Sequence, residues 1–358
     1  MTTKFLRAKM MRVPYKHTVQ QYLADLHLED LSEHTIGGYA KVLRGFERFM
    51  CAGQPGAELL LSTITPERAK AYIAHRQGLD QAWADHPHKP TEERRLAPAT
   101  IHQDVRSLKT FGVWLSENGY TNPFEALKLP KLPRHLIEIL EEDEIKTLAA
   151  VHNPNTWFGA RWQTILGLAL DTGVRLNEVV TLELKDLNLA QCRLKVCGKG
   201  DKERILPFGS QVHKLLSRYL NLFRQGDAPN VFVNQDGTLM TASGLQDIVR
   251  KVRAKAGIER FHFHLLRHTF ATNFLLVGGN AFELQALLGH ESLTMTEHYV
   301  HLAQQLARTT QSVGQRRPTP LDASGLDFTR ARSGFKGKGF RPGSAKSLSD
   351  ALSTAHAG

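Results

Sequence analysis

Cysteine is scarce in this chain of 358 residues: Cys51, Cys192 and Cys197 are the whole set. An odd, scattered trio without CxxC spacing excludes a disulfide framework and a zinc knuckle. Three free thiols in a reducing cytosol are expected. Long apolar runs are missing too. None approaches the roughly 20 residues that cross a bilayer. Met1 to Arg7 hold no apolar stretch of the kind a secretory signal needs. No membrane partner is therefore expected, and the expected location is the cytoplasm. No GxxxxGK[ST] pattern is present, so no phosphate-cradling loop of that kind is indicated. No internal repeat is visible.

Acidic residues are outnumbered. The chain has 46 Lys/Arg against 35 Asp/Glu, a net charge of +11 and a pI near 9.6. Such a balance favours a polyanionic partner, nucleic acid before anionic membrane, over a merely well-solvated surface. The excess is uneven. Ala307 to Gly358 hold nine Lys/Arg and three Asp/Glu, which leaves five of the eleven net charges to the rest of the chain. In that tail Phe328, Phe335 and Phe340 interleave with Arg330, Arg332, Lys336, Lys338 and Arg341. Charge plus stacking of this kind can hold nucleic acid; a solvated tail with no role is the competing reading.

Apolar periodicity divides the chain. After an N-terminal extension, 1–14, residues 15–130 read as a helical domain. Ile36, Tyr39, Leu43, Phe46 and Met50 recur at helical spacing behind a Ser32 cap, and Thr65-Pro66 marks another helix start. Ile101, Val105, Leu108, Phe111 and Leu115 form a further stripe. Gly78 to Pro98 is polar and rich in His, Pro and charge, which predicts a long loop. The proline-broken stretch from Leu129 to Pro133 ends this domain, and 131–136 is read as the linker.

A second domain, 137–308, follows. Phe158, Trp162, Ile165, Leu166 and Ala169 predict a buried helix face ending at Thr172-Gly173. Residues 192–208 predict a short hairpin around Gly198-Lys199-Gly200-Asp201. Helices are expected again after Thr241, to about Ala307. The tail, 309–358, is rich in Gly, Ser, Pro and Arg and reads as mostly disordered. The fold class is mainly α with a small antiparallel β-hairpin or sheet, an α+β chain.

Four segments of the second domain carry polar residues beside strong structural signals. They are Thr172-Gly-Val-Arg-Leu-Asn-Glu178, Gly198-Lys-Gly-Asp-Lys-Glu-Arg204, His264-Leu-Leu-Arg-His268, and Leu288-Gly-His290 with Tyr299 nine residues beyond. Each alone has a plain structural explanation. An Arg after a TG turn starts a helix, and a GKG turn closes a hairpin. His268 reads as a satisfied structural histidine, and a lone tyrosine as a packing residue. His264 and His268 lie four apart and so share a helix face, where a metal is conceivable. No HExxH spacing or further ligand completes such a site.

Together, the order Arg, Lys, His-x-x-Arg, His, Tyr resembles the tyrosine recombinase family, which includes the Xer proteins and phage integrases. TGVRLNE, GKGDKER, HLLRHTFAT, LLGH and Tyr299 carry the likeness, from Thr172 to Tyr299. The resemblance implies a helical core-binding DNA-binding domain ahead of a catalytic domain. It implies that Tyr299 attacks a DNA phosphodiester to give a 3′-phosphotyrosyl bond. Arg175 and Arg267 would hold the non-bridging oxygens, Lys199 would protonate the leaving 5′ oxygen, and His290 would hydrogen-bond the phosphate. His264 would assist proton transfer at the tyrosine or contact the phosphate, and Glu178 would support Arg175. The implied partners are double-stranded DNA with a specific recombination site, a homo-tetramer on two duplexes, and accessory proteins. The segment from His301 to Arg308 would pack onto a neighbouring protomer. No cofactor or metal is implied, and the location would be cytoplasmic and nucleoid-associated. Lys41, Arg44, Arg106 and Lys109 of the first domain are candidate phosphate contacts.

The chemistry asks for such residues on its own account. A tyrosine of pKa about 10 is roughly one part in a thousand ionised at neutral pH, a deficit of about 4 kcal/mol. Cations and a positioned base must cover it. Planar guanidinium groups match phosphoryl oxygens, and a leaving alkoxide needs an acid such as lysine. A metal-assisted site would need clustered carboxylates, which Asp171, Glu178, Asp186 and Asp201 do not suggest by spacing. The long 78–98 segment and the tail favour a mobile-element integrase. The alternatives are an Xer-type chromosome or plasmid resolution enzyme, a type IB topoisomerase-like nicking-closing enzyme, a DNA-binding protein with a decayed site, and a metal-dependent nuclease.

Overall fold

The computed structural model describes residues 13–52, 57–78, 95–132, 137–198 and 202–312, with side chains to 307, and the backbone of 81–82 and 92–93. Most of the N-terminal extension, linker residues 133–136, residues 199–201 with Lys199 among them, and the tail beyond 312 lie outside the described residues. The chain divides into two compact units, Met1–Arg134 and His135–Gly358.

Among its described residues the first unit holds four α-helices: α1 (Tyr15–Leu28), α2 (Glu33–Met50), α3 (Pro66–Gly78) and α4 (Pro98–Glu117). Their starts follow local chemistry. Ser32 Oγ accepts the Thr35 amide, and Thr65 Oγ1 accepts that of Arg68 just ahead of Pro66. Ile36, Leu43, Phe46 and Met50 face inward along α2. They meet an aromatic core in which Tyr22 and Phe111 lie 5.2 Å apart and Phe46 and Phe124 5.3 Å apart. Rings at these separations add edge-to-face attraction to the burial of their area. The 78–98 segment departs from the expected uninterrupted loop. It carries an antiparallel pair, β1 (Gln81–Ala82) against β2 (Glu92–Glu93). Two-residue strands pair through backbone groups alone, so no side-chain alternation announces them.

The second unit begins with α5 (Glu142–Ala150) and α6 (Trp157–Thr172). Thr156 caps α6, and the helix is buried on almost every side, against α8 (Ser210–Leu222) and α10 (Phe263–Leu276). Phe158 is the exception to the predicted buried face: it is exposed and meets the Trp157 ring edge-on at 5.0 Å, while Gly159 and Ala160 beside it are buried. Helix α8 is also a correction to the expectation that helices resume only after Thr241. Its apolar face is narrow, with Val212, Leu216 and Tyr219 buried between polar residues. Close packing with α6 depends on Gly167, where a Cβ would lie 2.9 Å from Leu215 Cδ1.

Between these helices come α7 (Leu176–Thr181) and a three-stranded antiparallel sheet in the order β3 (Leu187–Asn188), β4 (Arg193–Cys197), β5 (Glu203–Pro207). The β4–β5 hairpin is the one the sequence predicts. Cys197 pairs with Glu203, and the Gly198 amide donates to the Lys202 carbonyl at 2.9 Å to close the turn. The described residues then run through α9 (Ala242–Ala256), α10, α11 (Ala281–Leu288) and α12 (Thr294–Ser312). Residues expected in the tail, 309–312, continue the last helix.

Candidate active site

Two glycines shape the ground on which the site stands. Gly173 ends α6 with φ +65° and Gly289 ends α11 with φ +63°, a left-handed conformation that favours glycine. At Gly173 a side chain would also collide with Phe270, at 2.4 Å. The turn after Gly173 delivers Arg175 as the cap of α7. The turn at Gly289 delivers His290.

Glu178 is the buried hub of this corner. Its carboxylate accepts the Arg175 amide at 2.8 Å and the Arg175 guanidinium at 2.9 Å. Arg204 grips the same carboxylate with both terminal nitrogens, at 2.8 and 2.7 Å, and donates Nε–H to the Leu287 carbonyl at 2.7 Å. Burial alone would raise the Glu178 pKa; Arg204 first and Arg175 next overcome it, and the net shift is downward. The carboxylate is thus an anion that fixes two cations. Arg204 also ties the β4–β5 hairpin to the end of α11. Its place is legible in the strand alternation, because Arg204 and Leu206 point inward while Glu203 and Ile205 point out. In the sequence Arg204 stands only as the last residue of the GKGDKER stretch.

Helix α10 supplies three residues from adjoining turns of one face. Arg267 is almost fully buried and donates to the carbonyls of Gly173, at 2.8 Å, and Leu288, at 2.7 Å. Its Nε is buried and has no hydrogen-bond partner among the described residues. His264 sits at the mouth of the site, its ring edge-on to that of His268 with centroids 4.5 Å apart. His268 Nδ1 lies 2.8 Å from the Tyr299 hydroxyl. Tyr299, on α12, is 4% exposed, and its ring lies parallel to that of His290 at 6.2 Å. His290 Nδ1 is held by Thr296 Oγ1 at 2.9 Å. Burial raises the Tyr299 pKa; Arg267 and Arg175 act against that rise without cancelling it.

Arg175, Glu178, His264, Arg267, His290 and Tyr299 are therefore brought together in the second unit. Lys199 lies outside the described residues, in the turn that the Gly198–Lys202 bond closes. Lys41, Arg44, Arg106 and Lys109 belong to the first unit, on the neighbouring helices α2 and α4. Lys41, Arg44 and Arg106 are exposed. The Lys109 ammonium is engaged with the carbonyls of Glu125, at 2.8 Å, and Leu127, at 3.0 Å, so part of its donor capacity serves the local turn. His268, read from sequence as a structural histidine, has its Nδ1 at hydrogen-bond distance from the Tyr299 hydroxyl. The signal was the i, i+4 spacing to His264, which places both rings on one face. Among the described residues no helix is long and apolar enough to cross a membrane, and no group of three or more His, Cys, Asp or Glu is arranged to hold a metal.

His264, His268 and His290 each have a pKa lowered to about 4, chiefly by burial and then by neighbouring cations and histidines. In the unfolded chain each titrates near about 6.5. Between those values the unfolded chain binds more protons, so stability is full above about pH 6.5 and falls as pH drops toward about 4. Urea midpoints of the full chain should be lower at pH 5 than at pH 7. The drop should shrink in a His264→Gln, His290→Gln double variant.

The sequence profile of the Phage integrase family matches residues 138–305. The tyrosine recombinase XerC of Bacillus pumilus (strain SAFR-032) is 34% identical over 312 residues, covering 82% of this chain and 96% of that protein. XerC of Bacillus subtilis (strain 168) is 31% identical over 306 residues, covering 82% and 95%. Among solved structures, XerH recombinase bound to a palindromic difH substrate aligns with a TM-score of 0.60 at 21% identity, over 80% of this chain and 82% of that one. The Tn1549 transposon integrase in complex with circular intermediate DNA gives 0.62 at 19%, over 80% and 94%. These two likenesses concern the fold. With motifs, site geometry and near full-length relatives in agreement, the chain belongs to the tyrosine recombinase family of DNA breaking and rejoining enzymes.

Proposed function

We propose that this chain is a site-specific recombinase that cuts and rejoins double-stranded DNA through Tyr299. One observation carries the reading. The Tyr299 hydroxyl sits in a cation-rich corner assembled from α7, α10, α11 and α12, with Arg175 and Arg267 close enough to counter the rise in its pKa. Arg175 and Arg267 hold the non-bridging oxygens of the scissile phosphate. The buried, unpartnered Nε of Arg267 supports this, since a phosphoryl oxygen would supply the acceptor it lacks. Arg175 is left partly exposed while Glu178 fixes its orientation. His290 and His264 hydrogen-bond the phosphate, and Lys199 protonates the departing 5′ oxygen.

The covalent link stores the energy of the phosphodiester, so rejoining needs no nucleotide. A 5′ hydroxyl from a second duplex attacks the phosphotyrosyl bond and completes exchange. Exchange between two duplexes needs four such sites, hence a tetramer on DNA, with accessory proteins as further partners. Lys41, Arg44 and Arg106 of the first unit contact the phosphate backbone, which would make affinity salt-dependent.

The host context has two readings. The 78–98 segment and the long basic tail favour a mobile-element integrase. The likeness to XerC over nearly the whole of that protein favours chromosome or plasmid resolution. The test uses a duplex selected from genomic fragments by the Tyr299→Phe protein and then offered to wild type as two labelled copies. Strand exchange between the copies is expected. Nicking and resealing of one duplex with no exchange would replace recombination with topoisomerase-like activity. The genomic origin of the selected DNA, element ends or a chromosomal site, separates the two contexts.

A further inference from the structure

We infer that His268 is a catalytic residue, the base that takes the proton from the Tyr299 hydroxyl as it attacks DNA. The inference rests on the reading of Tyr299 as nucleophile and goes beyond it, because neither the motif order nor the chemistry above needs a second histidine on α10.

Geometry comes first. Within the site, the hydrogen-bond partner of the Tyr299 hydroxyl is His268 Nδ1, at 2.8 Å. His264 does not occupy that position; its ring meets the ring of His268 edge-on. His290 lies parallel to the tyrosine ring, with Nδ1 engaged by Thr296. Two histidines, His268 and His290, therefore lie against Tyr299, and His268 is in line to receive its proton. Hydrogen-bond reach is the first requirement for a general base.

The chemical state agrees. His268 is held neutral at physiological pH, so a lone pair is free on one ring nitrogen. The groups that face it are His264 and Arg267 on its own helix, His262 at that helix's N-cap, and Tyr299 from α12. With the ring proton on Nε2, Nδ1 accepts from the hydroxyl. As Oη bonds to phosphorus, its proton passes to Nδ1 and His268 becomes an imidazolium. The P–O5′ bond breaks, and O5′ takes a proton from a separate acid, the role proposed for Lys199. Rejoining reverses each transfer, so no proton or electron is left over. The cationic arginines nearby stabilise the phenolate as it forms, while they oppose the imidazolium. That opposition keeps the proton available for return.

A chemically split substrate tests the assignment. The probe is the selected duplex carrying a nick and, in a second version, sulfur in place of the scissile 5′ oxygen. A thiolate leaves without help from an acid. Sulfur therefore relieves the loss of a leaving-group acid but not the loss of a base at the nucleophile. His268→Asn keeps an acceptor near the Nδ1 position but cannot carry the proton. We expect it to slow covalent capture by about 10²–10⁴-fold on oxygen and by a similar factor on sulfur. Lys199→Ala should recover on sulfur. Capture by His268→Asn within about threefold of wild type, or its recovery on sulfur, would overturn the inference. Equal duplex affinity and an unchanged circular dichroism spectrum confirm that the variant folds. If it does not, ¹⁵N-histidine NMR of the wild-type chain decides: neutral His268 with its proton on Nε2 is expected, and a proton on Nδ1 contradicts the inference. Covalent capture by Tyr299→Phe, by contrast, would remove the nucleophile assignment itself.

Discussion

Tyr299→Phe is expected to lose covalent capture of DNA completely while keeping fold and binding. The substitution removes one oxygen and leaves the ring, which packs beneath His290 in a nearly closed space. The structural cost is the hydrogen bond to His268, about 1 kcal/mol. The chemical cost is the nucleophile. Removal of a nucleophile from an enzyme that forms a covalent intermediate typically costs on the order of 10⁶ in rate, and here no adduct can form at all. Denaturing gels of protein mixed with a nicked, selected duplex should show a retarded covalent band for wild type and none for the variant. Native gels should show both proteins bound with similar affinity. A second tyrosine acting in its place would leave the band unchanged.

Glu178→Ala is expected to destabilise the chain more than a change at any exposed charge, by about 3–5 kcal/mol. The carboxylate is buried and serves two guanidinium groups at once, at distances of 2.7 to 2.9 Å. Its removal leaves Arg175 and Arg204 facing each other without an anion, one of them largely enclosed. A domain of ordinary stability has about 5–15 kcal/mol in hand, so the urea midpoint should fall by about a fifth or more. Arg204→Ala should cost less, because Arg175 still pairs with the carboxylate. The double variant should cost less than the sum of the two, since each single change removes the same bonds. Simple additivity would show that the two groups act independently. The same network explains a loss of activity in any variant that still folds: Arg175 would no longer be aimed, and the hairpin would lose its tie to Leu287.

Much of this site was legible in the sequence because its residues sit at places where local chemistry is strict. A glycine after an apolar helix forces the turn that carries Arg175. Short alternating apolar stretches on either side of a Gly-rich segment predict the hairpin. The spacing of His264 and Arg267 needs only a helix to place both on one side. The core helices were legible for a similar reason, since apolar residues recur with the helical period and caps mark the starts.

What was not legible depends on long-range neighbours. His268 has the same local context as a structural histidine, and only the approach of α12, thirty-one residues on, brings a hydroxyl to its Nδ1. Arg204 looks like one more charge in a basic turn until Glu178, 26 residues earlier, is placed under it. Lys109 reads as a surface cation but meets the carbonyls of a turn sixteen and eighteen residues on. Phe158 follows the apolar stripe of its helix yet is exposed, though Gly159 and Ala160 beside it are buried. Helix α8 escaped because its buried stripe is only a few residues wide, and the β1–β2 pair because backbone pairing leaves no side-chain pattern.

The most direct test of the nucleophile is chemical identification of the protein–DNA bond. Wild-type protein is trapped on a nicked selected duplex, digested with protease and nuclease, and the adduct is sequenced by tandem mass spectrometry. A single peptide bearing a 3′-linked nucleotide phosphate on Tyr299, with a free 5′ hydroxyl on the released strand, is the predicted result. A phosphate on any other residue, or a 5′-linked adduct, would contradict it.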